Sequence, residues 1–263
     1  MFLIARNTLR AILSRHAIYI WGVAVLLMLL RAAPAMFAEG DDAIRAVFRA
    51  RAVTGALDTW AVLCIASAIF LGAGTIASEI ASKTLITIIA RPLARWEVVI
   101  GRWLGIVGFS MISLVLGLAI GLGIAAYAGI QIDQRALALA AADTAIAIAL
   151  YGACSVALSG VGASSLAAAL TVLLVFVPAI LPLITEDPRP ARRMIGAVID
   201  GATPGGVQGH YDAIARLPEM PRSRAVKPID YAAARAGLLE NTAHTVVYLL
   251  LGCVFFSRRD IKL

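Results

Sequence analysis

Charge is scarce in this sequence, and so are the residues that usually do chemistry. Only 15% of the 263 residues are Asp, Glu, Lys or Arg, against 61% hydrophobic. A water-soluble domain carries about 25% charged and about 45–50% apolar residues. A chain of this size cannot hide so much apolar surface from water. A soluble globular fold is therefore excluded, and a bilayer, which solvates an apolar exterior, is required. Cysteine is limited to Cys64, Cys154 and Cys253, and histidine to His16, His210 and His244. The cysteines fall within apolar runs without CxxC spacing, and the histidines are scattered. That excludes a secreted-type disulfide framework and a zinc site, which needs three or four grouped donors. The three lysines are Lys83, Lys227 and Lys262. None follows a glycine loop of the form G-x-x-x-x-G-K-[ST], and there is no serine nucleophile elbow or HExxH. No cofactor-binding or metal-binding residues are expected, and any energy-consuming chemistry must come from another chain.

What is present is length and oil. A spanning helix needs roughly 20 apolar residues, and six stretches qualify: 17–37, 60–77, 103–127, 136–158, 164–184 and 242–257. The sixth draws on residues from Leu238 onward to reach full thickness. The fourth and fifth are separated by the small residues Ser159 to Ser165, a tight hairpin. The expected fold is an all-α integral membrane protein forming one domain over 1–263. Residues 1–15 open it as an amphipathic helix lying in the membrane interface, with Phe2, Ala5, Leu9 and Ile12 on one side and Arg6, Asn7, Arg10 and Ser14 on the other. The basic arm ahead of an apolar run also resembles a signal peptide, but its length and helical face suit an interfacial helix better.

Six spans put both termini on one side, and charge bias names that side. The segments 1–16, 78–102, the hairpin and the tail 258–263 hold ten basic and three acidic residues; everything else holds thirteen of each. The whole formal charge of +7 thus lies on one face. Both termini are expected in the cytoplasm, in a multi-pass protein of the cytoplasmic (inner) membrane. The high pI reads as orientation, and no basic stripe suggests a nucleic-acid partner. The loop 185–241 is then external. It carries Met194, Ile195, Val198 and Ile199 at helical spacing, and 231–239 suggests a second short helix leading into the sixth span.

The span interiors are nearly free of ionisable groups, which argues against a proton-driven carrier. Asp143 is the one candidate: either an intramembrane binding carboxylate or an interface-facing one near the outer end of its span. Gly101-x-x-x-Gly105 and Gly117-x-x-x-Gly121 have the spacing that lets helix backbones approach closely, within one chain or between two.

The most informative stretch is 76–102. Glu79 and Lys83 are four apart in the favourable helical order. Pro92 ends that helix and pushes Arg91 to an extended shape. A second short helix can start near Leu93 and hold Arg95, Trp96 and Glu97 at the membrane face. Leu85, Ile86, Ile88 and Ile89 are too apolar for a loop in water and need something to pack on.

Here the chain resembles a known family. Glu79-x-x-x-Lys83-Thr84-Leu85, then Arg91-Pro92-Leu93-x-Arg95-x-Glu97 and Gly101-Arg102, look like the signature of ABC-2 type permeases, the membrane subunits of ATP-binding-cassette exporters. The tail Phe255-Phe256-Ser257-Arg258-Arg259-Asp260-Ile261 resembles that of the six-helix branch containing the copper-enzyme maturation and gliding-motility permeases. The resemblance implies that 1–15 is the elbow helix and that 78–102 contains a cytoplasmic coupling helix between spans 2 and 3. It also implies a non-enzymatic permease for an unidentified cargo, lipid-like or amphipathic if the apolar interior is a guide. Its partners would be an ATPase subunit holding ATP and Mg, a second permease as homodimer or heterodimer, and membrane lipid. Glu79, Lys83, Arg91, Arg95, Trp96 and Glu97 would be the residues coupling to the ATPase. The alternatives are a membrane scaffold or assembly factor without transport, and a lipid-modifying membrane enzyme, for which no cluster of catalytic polar groups is visible.

Overall fold

The computed structural model describes residues 1–15, 17–37, 42–81, 94–160, 164–173 and 231–258. These form seven helices: α1 (Phe2–Arg15), α2 (Ala17–Phe37), α3 (Asp42–Ala81), α4 (Arg95–Tyr127), α5 (Gln134–Ser159), α6 (Ser164–Leu173) and α7 (Tyr231–Arg258). No strand occurs among the described residues. Four helices are long and apolar enough to cross a membrane, over Arg45–Thr75, Trp96–Tyr127, Gln134–Ser159 and Tyr231–Arg258. The apolar part of α2 is shorter, Trp21–Ala33, and α6 is described only as far as Leu173.

Three helices run beyond the apolar stretches that mark them. α3 begins at Asp42, well before Trp60, because Ala-, Arg- and Val-rich sequence without proline continues the helix past the apolar part. The short helix expected near Leu93 is not separate: Arg95 opens α4, which continues without a break to Tyr127. Likewise 231–241 is no part of a loop, and the short helix expected over 231–239 is the first part of α7. The Ala232-Ala233-Ala234 run after Pro228 favours this continuous helix. At about 1.5 Å per residue, α4 is about 50 Å long, against about 30 Å of hydrocarbon.

The turns between helices are built locally. Gly129 adopts φ 68 after α4, the left-handed conformation that glycine takes without steric cost. Its N–H bonds Ala126 O, and the N–H of Ile130 bonds Ala125 O. Asp133 caps α5, accepting from Arg135 N at 2.9 Å and Ala136 N at 3.4 Å. The α5 helix ends on Gly160, and in α6 Thr171 Oγ1 donates to Ala167 O at 2.8 Å.

α4 is the hub, with α1, α3, α5 and α7 all packed on it. Both glycine pairs are used inside the chain. A Cβ on Gly117 would fall within the Trp60 indole, and one on Gly121 would meet Leu57 of α3 and Met28 of α2. The Trp60 indole N–H donates to Ser113 O at 2.8 Å, and Ser67 and Ser110 hydroxyls lie 3.3 Å apart, so α3 and α4 run antiparallel. Two further indoles link helices. Trp21 Nε1 donates to Ser113 Oγ at 2.6 Å while its ring stacks on Phe109, and Trp103 Nε1 donates to Ala149 O at 2.9 Å. Each satisfies a polar group that lipid would leave unpaired. Ser155 Oγ donates to Ile69 O at 2.6 Å, joining α5 to α3 where Gly72 admits it. Cys64, Cys154 and Cys253 are free thiols within these helices.

Candidate functional site

One end of the bundle holds four of the six residues singled out in the sequence, Glu79, Arg95, Trp96 and Glu97. Its base is an apolar layer. A Cβ on Gly252 of α7 would sit 3.1 Å from Ala157 Cβ of α5 and 3.6 Å from Val99 Cγ1 of α4. Val98, Val99 and Phe256 are fully buried there. The first turn of α4 rises beyond this layer. Ala94 is its cap residue and offers no side-chain bond, so the turn closes through its backbone, with Glu97 N–H donating to Ala94 O at 2.9 Å. The half-buried Glu97 is the acidic residue of that turn, where its charge complements the positive helix end. Trp96 faces outward and is 48% exposed.

The α3–α4 register brings Trp60 beside Gly117 and Ser67 beside Ser110. Continued to the ends, it sets Glu79, in the last turn of α3, about level with Val98. The backbones of Glu79, Arg95, Trp96 and Glu97 therefore come to one end of the bundle. The side chains of Glu79 and Arg95, and both Lys83 and Arg91, lie outside the described residues. So does the apolar run Leu85 to Ile89. Three of the four tryptophans bind another helix through the indole; Trp96 instead presents its ring to the surroundings.

The α1 helix reaches the same end, and it packs on α4 through the other glycine pair. A Cβ on Gly101 would meet Ile4 Cβ at 2.9 Å, and one on Gly105 would meet Thr8 Cβ at 2.6 Å and Ala5 O at 2.8 Å. Arg102, between the two glycines, donates to Thr8 Oγ1 at 3.1 Å, and Thr8 donates to Ile4 O. The face of α1 that docks is thus Ile4, Thr8 and Ile12, with Ala5 and Leu9 half-buried beside it. Phe2, on the apolar side read from the sequence, does not take part in this contact: it is 79% exposed, and Leu3 is 59% exposed. The Arg102–Thr8 bond had no signal in the sequence beyond the glycine spacing around it.

Thr8→Val keeps the shape of the side chain and removes the acceptor. A hydrogen bond from a charged group contributes about 1.5–3 kcal/mol. The variant should lower the melting temperature of the purified protein by several degrees, read by intrinsic tryptophan fluorescence. An unchanged melting curve would mean that Arg102 does not hold α1 in place.

The second feature is deeper. Asp143 was open between a binding carboxylate and an interface-facing one; it is 7% exposed, inside the bundle rather than at its surface. Asn241 and Thr245 of α7, and Thr144 of α5, are buried polar residues as well. Among the described residues no three His, Cys, Asp or Glu side chains converge as a metal site.

Comparison with known proteins supplies one match. The family model described as ABC-2 family transporter protein matches residues 4–188, from the docking face of α1 to beyond α6. No curated protein matches the chain.

Proposed function

The chain belongs to the ABC-2 transporter family, and on that premise we propose that it is the membrane-spanning permease subunit of an ATP-binding-cassette exporter, coupled to a separate ATPase. It crosses the membrane six times, with α2 and α6 as the two spans beyond the four long apolar helices. Both termini and the 78–102 segment face the cytoplasm of the inner membrane, where the surplus of basic residues lies. The N-terminal helix α1 is the elbow, and residues 78–97 form the coupling region. Glu79, Lys83, Arg91, Arg95, Trp96 and Glu97 dock on the ATPase, which holds ATP and Mg. Closure of the ATPase pair on ATP then moves the helices, and a second permease, identical or related, completes the pathway through the lipid.

The observation that carries this function is the family match over residues 4–188. It is supported by the convergence of Glu79, Arg95, Trp96 and Glu97 at one end of a bundle whose other helices are apolar. The deciding experiment is co-purification with the candidate ATPase, followed by ATP turnover of the complex in proteoliposomes. A stable complex whose turnover depends on the permease is expected. Absence of a complex would return the chain to a scaffold, and lipid turnover by the chain alone would make it an enzyme.

Sidedness has its own test. Trp96 and Tyr127 occupy opposite ends of α4, and both are exposed, Tyr127 at 84%. With the three native cysteines replaced by alanine, Trp96→Cys should react with a membrane-impermeant maleimide only in inside-out vesicles. Tyr127→Cys should react only from outside. Labelling of Trp96→Cys in intact cells would reverse the topology and remove the basis for docking.

A further inference from the structure

Two buried polar side chains, Asp143 of α5 and Asn241 of α7, lie on helices that pack together. Asp143 is 7% exposed and Asn241 is 2% exposed. Among the described residues Asn241 Oδ1 has no hydrogen-bond partner. Their helices are in contact, and Ala157 of α5 touches Gly252 of α7. The two run parallel, since Tyr231 at the start of α7 shares a cleft with Gln131 to Arg135 at the start of α5.

This register places the two acceptors together. Asp143 precedes Ala157 by 14 residues, and Asn241 precedes Gly252 by 11. At about 100° and 1.5 Å per residue, Asp143 lies within about 40° of the Ala157 face and Asn241 within about 20° of the Gly252 face. Their heights along the helices differ by about 4.5 Å, less than one turn. Both therefore look into the α5–α7 seam. The buried residues of α7, Ala234, Asn241, Thr245, Gly252 and Phe256, recur at spacings of seven and four, the signature of one narrow contact seam.

Thr245, the next polar residue along the seam, donates its Oγ1 hydrogen to Asn241 O at 2.8 Å and so commits it to its own helix. A carboxylate and an amide oxygen facing each other call for positive charge or a strong donor between them, and an ionisable residue inside a membrane is retained at such cost only where something binds it.

We infer that Asp143 and Asn241 form a site for one monovalent cation inside the α5–α7 seam. One carboxylate neutralises one charge, whereas a divalent ion needs more anionic oxygens. The cation is either an alkali ion or the ammonium end of an amphipathic molecule; both offer the same chemistry to the two oxygens. The inference requires only that α5 and α7 cross a bilayer and does not depend on the ATPase.

The test uses the full chain in nanodiscs of zwitterionic lipid, with thermal unfolding as readout. Sodium chloride is titrated against equal choline chloride, and octylammonium against octyltrimethylammonium, which carries the same charge without N–H donors. One of the two probes, sodium or octylammonium, should raise the melting temperature by at least 3 °C and identify the source. Asp143→Asn and Asn241→Leu, each close in shape to the native side chain, should weaken that response at least tenfold while remaining folded. No shift with either probe overturns the site, and so does an equal shift in wild type and both variants. Should one variant fail to fold, the other decides.

Discussion

Gly117→Leu should abolish assembly of the bundle. A Cβ alone at this position would fall within the Trp60 indole, which is buried and held by its bond to Ser113 O. The ring has nowhere to retreat, because Leu57 and Met28 fill the adjacent level against Gly121. Accommodation requires α3 and α4 to separate, which also breaks the indole bond. The cost is about 3 kcal/mol at the least, the upper end of overpacking penalties, and a hydrogen bond left unmade in lipid adds to it. Fluorescence-detected size-exclusion chromatography should show the monodisperse peak reduced to a small fraction of wild type. Gly108→Ala and Gly123→Ala are the matched controls: nothing lies within 4 Å of a Cβ at either, and both should run as wild type. Equal recovery of all three variants would mean that close approach at Gly117 does not set the fold.

Trp96→Ala should weaken docking of the ATPase by roughly thirtyfold. Exposed aromatic residues that become buried at the centre of an interface contribute about 2 kcal/mol or more, a factor of about thirty in affinity. Trp96 has the required position, at the tip of α4 beyond the apolar layer of Val98 and Val99, and its ring is available. The bundle itself should be unaffected, since the three tryptophans that join helices are elsewhere. The measurement is binding of the purified ATPase to nanodisc-embedded permease, with Tyr127→Ala at the opposite end of α4 as the control. Unchanged affinity in Trp96→Ala would move the docking surface away from the start of α4.

The apolar stretches of the sequence located the four helices long and apolar enough to cross a membrane, because twenty oily residues in a row have few other solutions in a bilayer. They did not locate the helix ends. Hydropathy reports the solvent a segment prefers, whereas the helical backbone continues wherever propensity and the absence of proline allow. Hence Asp42 to Asp58 gives no span signal, 231–239 suggests only a short helix ahead of the sixth span, and Arg95 falls in a separate short helix, whereas all three belong to the long helices α3, α7 and α4. The glycine pairs were legible as places of close approach, but not their occupants. Ile4, Thr8, Leu57 and Trp60 are distant in sequence from the glycines they meet, and no local pattern names them. That the backbones of Glu79 and of Arg95 to Glu97 share one end follows from the antiparallel α3 and α4; a coupling role for them is implied by the resemblance alone. Asp143 was visible as an isolated acid, but its burial and the facing Asn241 depend on the parallel register of α5 and α7, which only the packing of Gly252 on Ala157 reveals.

The unbroken course of α4 sets a mechanical condition. From Arg95 to Tyr127 it contains no proline, and its four glycines nearest the neighbours, Gly101, Gly105, Gly117 and Gly121, are clamped by side chains of α1, α2 and α3. A load applied at Trp96 would therefore be shared: the clamped glycines tie α4 to α1, α2 and α3, so it could not shift alone without unpacking Ile4, Thr8, Leu57 or Trp60.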